Sequence, residues 1–207
     1  MKKPTKNIFK YFLEFMIVAF GVFLGIYVSN LQNEKKMESE REKSITYIIK
    51  ELENNKKNVE KSIEYHQLIK SNLDSLVSNL TEKDVFENYI GNKKFRHNQI
   101  KGWNGVKLAD IENTAFEGAK ISGIIKEYDI ELIQCISKTY NRQEKYSEFG
   151  NLLFDRMGSI NSSTKIVDVL GTIQLMTTDL VLFEKQLLEE IESTQNEIKT
   201  PHNNMYN

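Results

Sequence analysis

The residues best suited to catalysis or metal binding are few and widely separated in this sequence. Its three histidines are His66, His97 and His202, and none belongs to a Glu-x-x-His or His-Glu-x-x-His pattern that would place metal ligands on one helical face. Cys135 is the single cysteine, so no disulfide or thiolate zinc cluster can form within these residues. We therefore expect no metal and no cofactor.

Nucleophilic chemistry is equally poorly represented. Residues 162–165 (SSTK) match Ser-x-x-Lys, but the Ser-Asp-Asn and Lys-Thr-Gly motifs that accompany that pattern in acyl-enzymes are missing, as is a Gly-rich phosphate loop. Cys135 falls on an apolar helical face and is expected to be a small core residue. A bundle could hold a site among Glu127, Asp129 and Glu131, yet nothing selects these carboxylates. The sequence predicts a protein that is not an enzyme.

The charge balance excludes another class of function. The net charge is -1, and four lysines lie within residues 1–12, so the remainder of the chain carries -5. Nucleic-acid-binding domains are normally strongly basic. We expect no nucleic-acid partner.

An uncharged apolar run at 15–28 organises the rest of the chain. With the residues from Ile8 onward it gives about 21 residues, or roughly 30 Å of helix, which is enough to cross a bilayer. A cleaved signal peptide is the rival interpretation, but the run ends in IYVSNLQNE without an Ala-x-Ala-like cleavage site. We predict a transmembrane helix at 8–30 after a cytoplasmic tail at 1–7.

The predicted orientation of this helix depends on the basic residues on either side of it. Four lysines precede the run and four basic residues follow it closely, so the positive-inside count is balanced. A short cationic tail is easier to retain in the cytoplasm than to translocate, whereas a long domain can cross regardless of its charge. We expect a single-pass protein of the bacterial inner membrane with its C-terminal domain in the periplasm.

A stripe of small and polar residues follows one side of the predicted membrane helix. At 100° per residue Glu14, Gly21 and Gly25 fall close together, and Gly21 to Gly25 forms a small-xxx-small motif. A carboxylate in a membrane helix is costly and suggests a function, although Glu14 lies one turn from Lys10 and can pair with it. We predict a helix-packing face; the alternative is that the spacing of these glycines arose by chance.

Beyond the membrane segment the sequence predicts an all-α protein. Residues 31–44 alternate in charge and suggest a solvated helical stalk, and apolar residues then recur at three- and four-residue spacing from Ile45 to Leu80. Asn55, Ser62 and His66 interrupt that seam. The transmembrane helix is thus expected to continue into a long helix and then into an antiparallel bundle of about four helices at 45–200, with a frayed tail at 201–207.

Local signals divide the bundle into elements. A capping-box pattern at 81–84 predicts a short helix that ends at Gly91, and further helices are predicted at 108–123, 130–157 and 166–198, with a turn at 159–165. The helix predicted at 108–123 carries small residues expected to allow tight packing. They are Ala115, Gly118, Ala119 and Ser122.

The least helical stretch, 93–107, mixes cations with aromatic residues. Its members Lys93, Lys94, Arg96, Lys101 and Trp103 form a possible patch for anionic headgroups or an acidic partner. The alternative, which we favour, is a solvated loop whose tryptophan covers the end of the bundle.

Two blocks of the sequence are similar to a family of Bacteroidetes membrane proteins of unknown function. Residues 6–36 carry its E-x-x-x-V-x-x-G-V-x-x-G anchor followed by Asn and a charged helix, and residues 102–140 resemble its second block with Trp, Ser-Gly and a Tyr-bearing helix. The resemblance implies a single-pass envelope protein with a helical ectodomain and supplies no activity.

These patterns favour an interaction or scaffold protein of the cell envelope. Its expected partners are the lipid bilayer and either another protein or further copies of itself. The alternative is a ligand-sensing accessory subunit. It would act through another membrane protein, since only about ten residues precede the membrane segment.

Overall fold

The computed structural model describes residues 5–199, and most of these are helical, although much of 78–113 is not. The α-helices are α1 (Thr5–Val77), α2 (Glu82–Val85), α3 (Thr114–Ser122), α4 (Ile130–Gly158), α5 (Ile166–Leu175) and α6 (Val181–Lys199). Two 3₁₀ turns cover His97–Gln99 and Ile124–Glu127, and a π-helical turn at Met176–Leu180 joins α5 to α6. No strand forms among the described residues apart from one isolated bridge between Asn88 and Lys165. The all-α prediction is confirmed.

Helix α1 is 73 residues long and runs without a break from the apolar segment through the charged stretch into the domain. At 1.5 Å per residue its length is about 110 Å. Residues 5–7, which we predicted as part of a tail, already belong to this helix, whereas residues 1–4 lie outside the described part of the chain. The predicted tail at 201–207 lies wholly outside it.

The C-terminal half of α1 packs with α4 and α6 around one apolar core. Helix α6 contacts both other helices along its length, because apolar residues recur on one face of each. The fully buried members of this core include Ile48, Leu52, Ile69, Ile136, Leu153, Ile173, Leu180 and Leu187. Helix α6 runs antiparallel to α1 and α4, as the pairs Lys56–Glu192 and His66–Glu184 and the contact of Tyr146 with Glu184 require.

Two predicted helices are shorter in the structure. The capping box at Thr81 and Asp84 is present, but α2 ends at Val85 instead of continuing to Ile90. The backbone bonds there go to the start of α5: Tyr89 N–H donates to Thr164 O at 2.8 Å, and Ile166 N–H donates to Glu87 O at 3.1 Å. Long-range pairing therefore replaces the second half of this helix.

The second correction concerns residues 108–113, which were predicted to be helical and are extended. They belong to a strip at 101–113, here called the return segment, that runs antiparallel along α1. Asn55 accepts from Glu112 N–H at 2.9 Å and donates to Glu112 O at 2.7 Å, while Asn58 donates to Asp110 O at 2.8 Å. Side chains thus satisfy backbone groups that a helix would have paired internally.

The polar residues on the seam of α1 are explained by the same strip. Ser62 donates to Lys107 O at 3.2 Å, and His66 Nε2 lies 2.8 Å from Val106 O. Further along, Asn72 donates to Lys101 O at 2.9 Å. The domain therefore contains three long helices, and the return segment with α3 occupies the remaining side of α1.

Candidate functional site

A groove between α1 and α3 has a volume of about 760 Å³. Its size lies in the range typical of binding sites. One wall is the part of α1 from Met37 to Asn54, and the other is α3 with the turn that follows it. The lining residues on α3 are mostly small, and they are Thr114, Ala115, Gly118, Ala119 and Ser122.

Helix α3 is held in place at both ends. At its start the buried Glu51 carboxylate accepts the Ala115 N–H at 2.7 Å, where negative charge complements the helix dipole. Phe116 stacks on Tyr140 with ring centroids 4.3 Å apart. At its end Gly123 adopts a φ of 77°, a left-handed conformation that glycine accepts without strain.

The small residues of α3 were expected to pack tightly, and only part of that expectation is met. Ala119 is buried against the core, but Gly118 is exposed, and a Cβ placed on it would meet nothing within 4 Å. The small side chains therefore leave the groove open on this side.

The buried acid beside the groove, Glu51, is engaged on both sides. The Glu51 carboxylate also accepts a hydrogen bond from the Tyr140 hydroxyl at 2.5 Å. Burial, together with that bond, raises the pKa of Tyr140, so its hydroxyl stays protonated at neutral pH. Within residues 5–199 no cluster of three or more histidine, cysteine or acidic side chains is arranged to hold a metal ion.

The α1 wall carries two exposed lysines beside the acids Glu40 and Glu51. Lys43 and Lys50 are exposed on α1, and neither forms an ion pair in the part of the chain that the structure describes. The neighbouring Glu40 carboxylate lies 3.8 Å from the Lys36 ammonium. A ligand lying against this wall would therefore meet two cations that are free to pair.

A buried polar cluster joins the three long helices behind the return segment. His66 and Glu184 are both 0% exposed, with His66 Nδ1 3.1 Å from Glu184 Oε2. The Tyr146 hydroxyl accepts from Ala109 N–H at 2.7 Å and donates to Glu184 Oε1 at 3.2 Å. Burial, followed by the Glu184 charge, raises the pKa of Tyr146.

This cluster has a structural role because no solvent reaches it. It fixes α1, α4, α6 and the return segment to one another, and each polar atom within it has a partner. His66 was recognisable in the sequence as a polar interruption of the α1 seam, whereas Glu184 was not predicted. The available signal was an acid at a stripe position, four residues after Leu180 and three before Leu187.

The predicted basic patch lies at the end of the domain where α1 terminates. The Lys94 ammonium forms ion pairs with Asp84 and with Glu87, and it lies 2.7 Å from the latter. Trp103 is partly buried, with its ring centroid 5.2 Å from that of His97.

The other cations of the patch point outward. Lys93, Arg96 and Lys101 are exposed, and none forms an ion pair among the described residues. The patch therefore offers fewer unpaired cations than its composition suggests, because one of its four cations is already paired. Binding of headgroups or of an acidic partner there stays a prediction.

The residues of the predicted membrane stripe are exposed on the N-terminal part of α1. A Cβ on Gly21 or Gly25 would meet nothing within 4 Å, and Glu14 lies 3.8 Å from Lys10. Two helical stretches, one in α1 and the other spanning Ile166–Lys199, are long and apolar enough to cross a membrane. The apolar window of α1 is 0% buried, whereas that of the second stretch is 44% buried and supplies core residues.

No family model, curated protein or solved structure matches this chain. The resemblance to the Bacteroidetes family therefore stays a prediction. Function has to be argued from the exposed part of α1 and from the groove.

Proposed function

We propose that this chain is a membrane-anchored interaction protein of the bacterial envelope, in which α1 spans the inner membrane once and the helical domain presents the α1–α3 groove to a partner. The observation that carries the proposal is the contrast along α1. Its N-terminal third exposes apolar side chains continuously, and its C-terminal half buries them.

The exposed apolar surface supports the membrane part of the proposal. Large apolar side chains from Phe9 to Leu31 are 40–69% exposed, and they surround the helix on all sides. Soluble proteins rarely expose apolar patches of more than a few hundred Å². A bilayer covers such a helix without any protein contact.

The groove supports the interaction part. It combines an apolar lining with rim charges, and its buried carboxylate, Glu51, is held by hydrogen bonds from the Ala115 N–H and the Tyr140 hydroxyl. A concave, largely apolar surface with a few polar groups is the usual form of a binding site.

The first test is membrane association in cells. The full chain is expected to float with vesicles in a density gradient and to resist carbonate extraction. Phe23→Arg, which places a charge in the predicted span, is expected to weaken insertion, whereas Leu68→Arg on the exposed surface of the domain is the matched control. A full chain that stays soluble and monodisperse without detergent would overturn the proposal.

The second test is orientation. A Glu64→Cys, Cys135→Ser double variant carries one thiol at an exposed position of α1. A membrane-impermeant maleimide should label this thiol in intact spheroplasts. Labelling only after lysis would place the domain in the cytoplasm and contradict the periplasmic assignment.

A ligand-sensing accessory role is the alternative, and the volume of the groove favours it, because about 760 Å³ can also hold a small molecule. A thermal-shift screen of the detergent-solubilised chain with envelope metabolites distinguishes the two roles. A stabilising ligand whose effect disappears on filling the groove with Gly118→Trp would favour sensing.

A further inference from the structure

We infer that the groove receives an amphipathic helix of a different membrane protein, and that this helix rises beside α1 from the side that carries Gly21 and Gly25. The inference rests on the proposed function and specifies the chemistry of the partner.

The walls of the groove indicate a helix in preference to an extended peptide, because both are helices whose backbone groups are paired internally. The hydroxyl of Ser44 already accepts from Tyr128 at 2.6 Å, that of Ser122 donates to Ala119 O at 3.2 Å, and Glu51 is occupied by Ala115 and Tyr140. A bound strand needs main-chain partners from its receptor, but a bound helix pairs its own backbone and contributes only side chains. The open space at Gly118 allows a close approach of this kind.

The length of the groove gives the size of the helix. Its α1 wall extends from Met37 to Asn54, which corresponds to about 26 Å. A bound helix of about 17 residues, with apolar side chains at three- and four-residue spacing, would occupy this length.

The direction of approach follows from the continuity of α1. Lys43 comes 18 residues after Gly25, which is about five full turns, so the two residues lie on the same side of the helix. Lys50 follows Gly21 by 29 residues and lies within about 20° of it. A helix that crosses the bilayer against the two glycines therefore meets the groove wall when it emerges.

Charge argues that the partner is a different chain. In a parallel symmetric pair on this side of α1, Lys43 would face Lys43 and Lys50 would face Lys50, and like charges across an interface are unfavourable. The stalk at 31–44 is also too polar to fill an apolar groove. The fitting partner carries carboxylates opposite Lys43 and Lys50, and no carboxylates opposite Glu40 and Glu112, the exposed acids of the same groove.

The test places a photo-reactive p-benzoylphenylalanine at Gly118 of the full chain in membranes of the source organism, with Gly158 as the matched control. Both glycines are helical and exposed, and a Cβ at either meets nothing within 4 Å, but Gly158 lies at the opposite end of the domain. We expect an adduct at Gly118 only. The cross-linked peptide should lie beside the transmembrane helix of another protein and show an apolar three-four pattern with acids.

Charge exchange then tests specificity. Lys43→Glu with Lys50→Glu should lower the adduct yield about tenfold, and lysines in place of the partner's acids should restore it. Adducts between two copies of this chain, adducts with lipid alone, an adduct whose peptide lies in a soluble domain, or equal yields at the two positions would each overturn the inference.

Folding and membrane insertion are controlled separately. Each variant is used only if its helical circular dichroism and vesicle flotation match those of the unmodified chain, and Gly118→Cys with a short bifunctional maleimide replaces the bulky probe otherwise. A chain that floats with membranes but gives no adduct with either probe overturns this inference alone. A chain that does not float overturns the proposed function.

Discussion

Replacing Asn55 by alanine should reveal how firmly the return segment is held. Asn55 is 0% exposed and makes two hydrogen bonds to the backbone of Glu112, at 2.7 and 2.9 Å. A buried polar group left without a partner costs about 1–3 kcal/mol. Two such groups are lost together, but the exposed Glu112 allows water partial access, so we expect a loss of about 2–3 kcal/mol in the free energy of unfolding.

Asn58→Ala is the matched control, because it removes one hydrogen bond to the same segment at a more exposed position. Its expected cost is about 0.5–1 kcal/mol. Both variants can be compared by urea titration of the full chain in detergent, followed by the fluorescence of Trp103, the single tryptophan. That indole belongs to the return segment and is partly buried, so its fluorescence reports the release of the segment.

Two results would refute this reasoning. A loss below about 1 kcal/mol for Asn55→Ala would mean that the unpaired groups find water without cost. An equal loss in the free energy of unfolding for both variants would mean that burial of a hydrogen bond does not change how much it stabilises the fold. In either case the polar seam of α1 would need another explanation.

Further predictions concern helix α4 and the start of α2. A Cβ on Gly150 would lie 2.1 Å from Leu108 Cδ1. Gly150→Ala should therefore lower the free energy of unfolding by up to about 2 kcal/mol. Overpacking costs about 1–3 kcal/mol, and the higher helix propensity of alanine offsets about 1 kcal/mol of that cost. Adding Leu108→Ala should recover most of this loss, as measured by the same urea titration. If the changes in the free energy of unfolding of the two single variants simply add in the double variant, the predicted clash is contradicted. For Asp84, hydrogen bonds from Lys94 and from Thr81 lower the carboxyl pKa from its ordinary 3.8 to about 2. The stabilisation that the ionised Asp84 carboxylate contributes is thus fully present above pH 3.8 and is lost as the pH falls through about 2. In an NMR titration Lys94→Met should raise the midpoint of Asp84, and an unchanged midpoint would show that the ion pair does not form.

The elements that sequence reasoning identified correctly are those with local causes. The capping box at Thr81, the end of α3 at Gly123 and the turn at 159–165 depend on residues within a few positions of one another. Helices α4 and α5–α6 carry apolar residues at helical spacing over many turns, which made their bounds predictable.

The elements that were missed depend on distant residues. Residues 108–113 carry a helix-like pattern, but Asn55, Asn58 and Tyr146 bind their backbone from 37 to 57 positions away. No local signal records such a contact. The groove was missed for the same reason, because its width depends on how Glu51 and Tyr140 hold α3 against α1.

The unbroken course of α1 also fixes a distance. In the proposed membrane arrangement, with the bilayer boundary at Val28, the groove wall begins about 14 Å from the hydrocarbon surface at Met37, and Lys43 lies about 22 Å from it in the same direction. A flexible linker of equal length would have a similar average span, but it would sample every direction. In that proposed arrangement a partner helix must continue for about two and a half turns beyond its own membrane segment to reach the start of the groove, and for about four turns to reach Lys43.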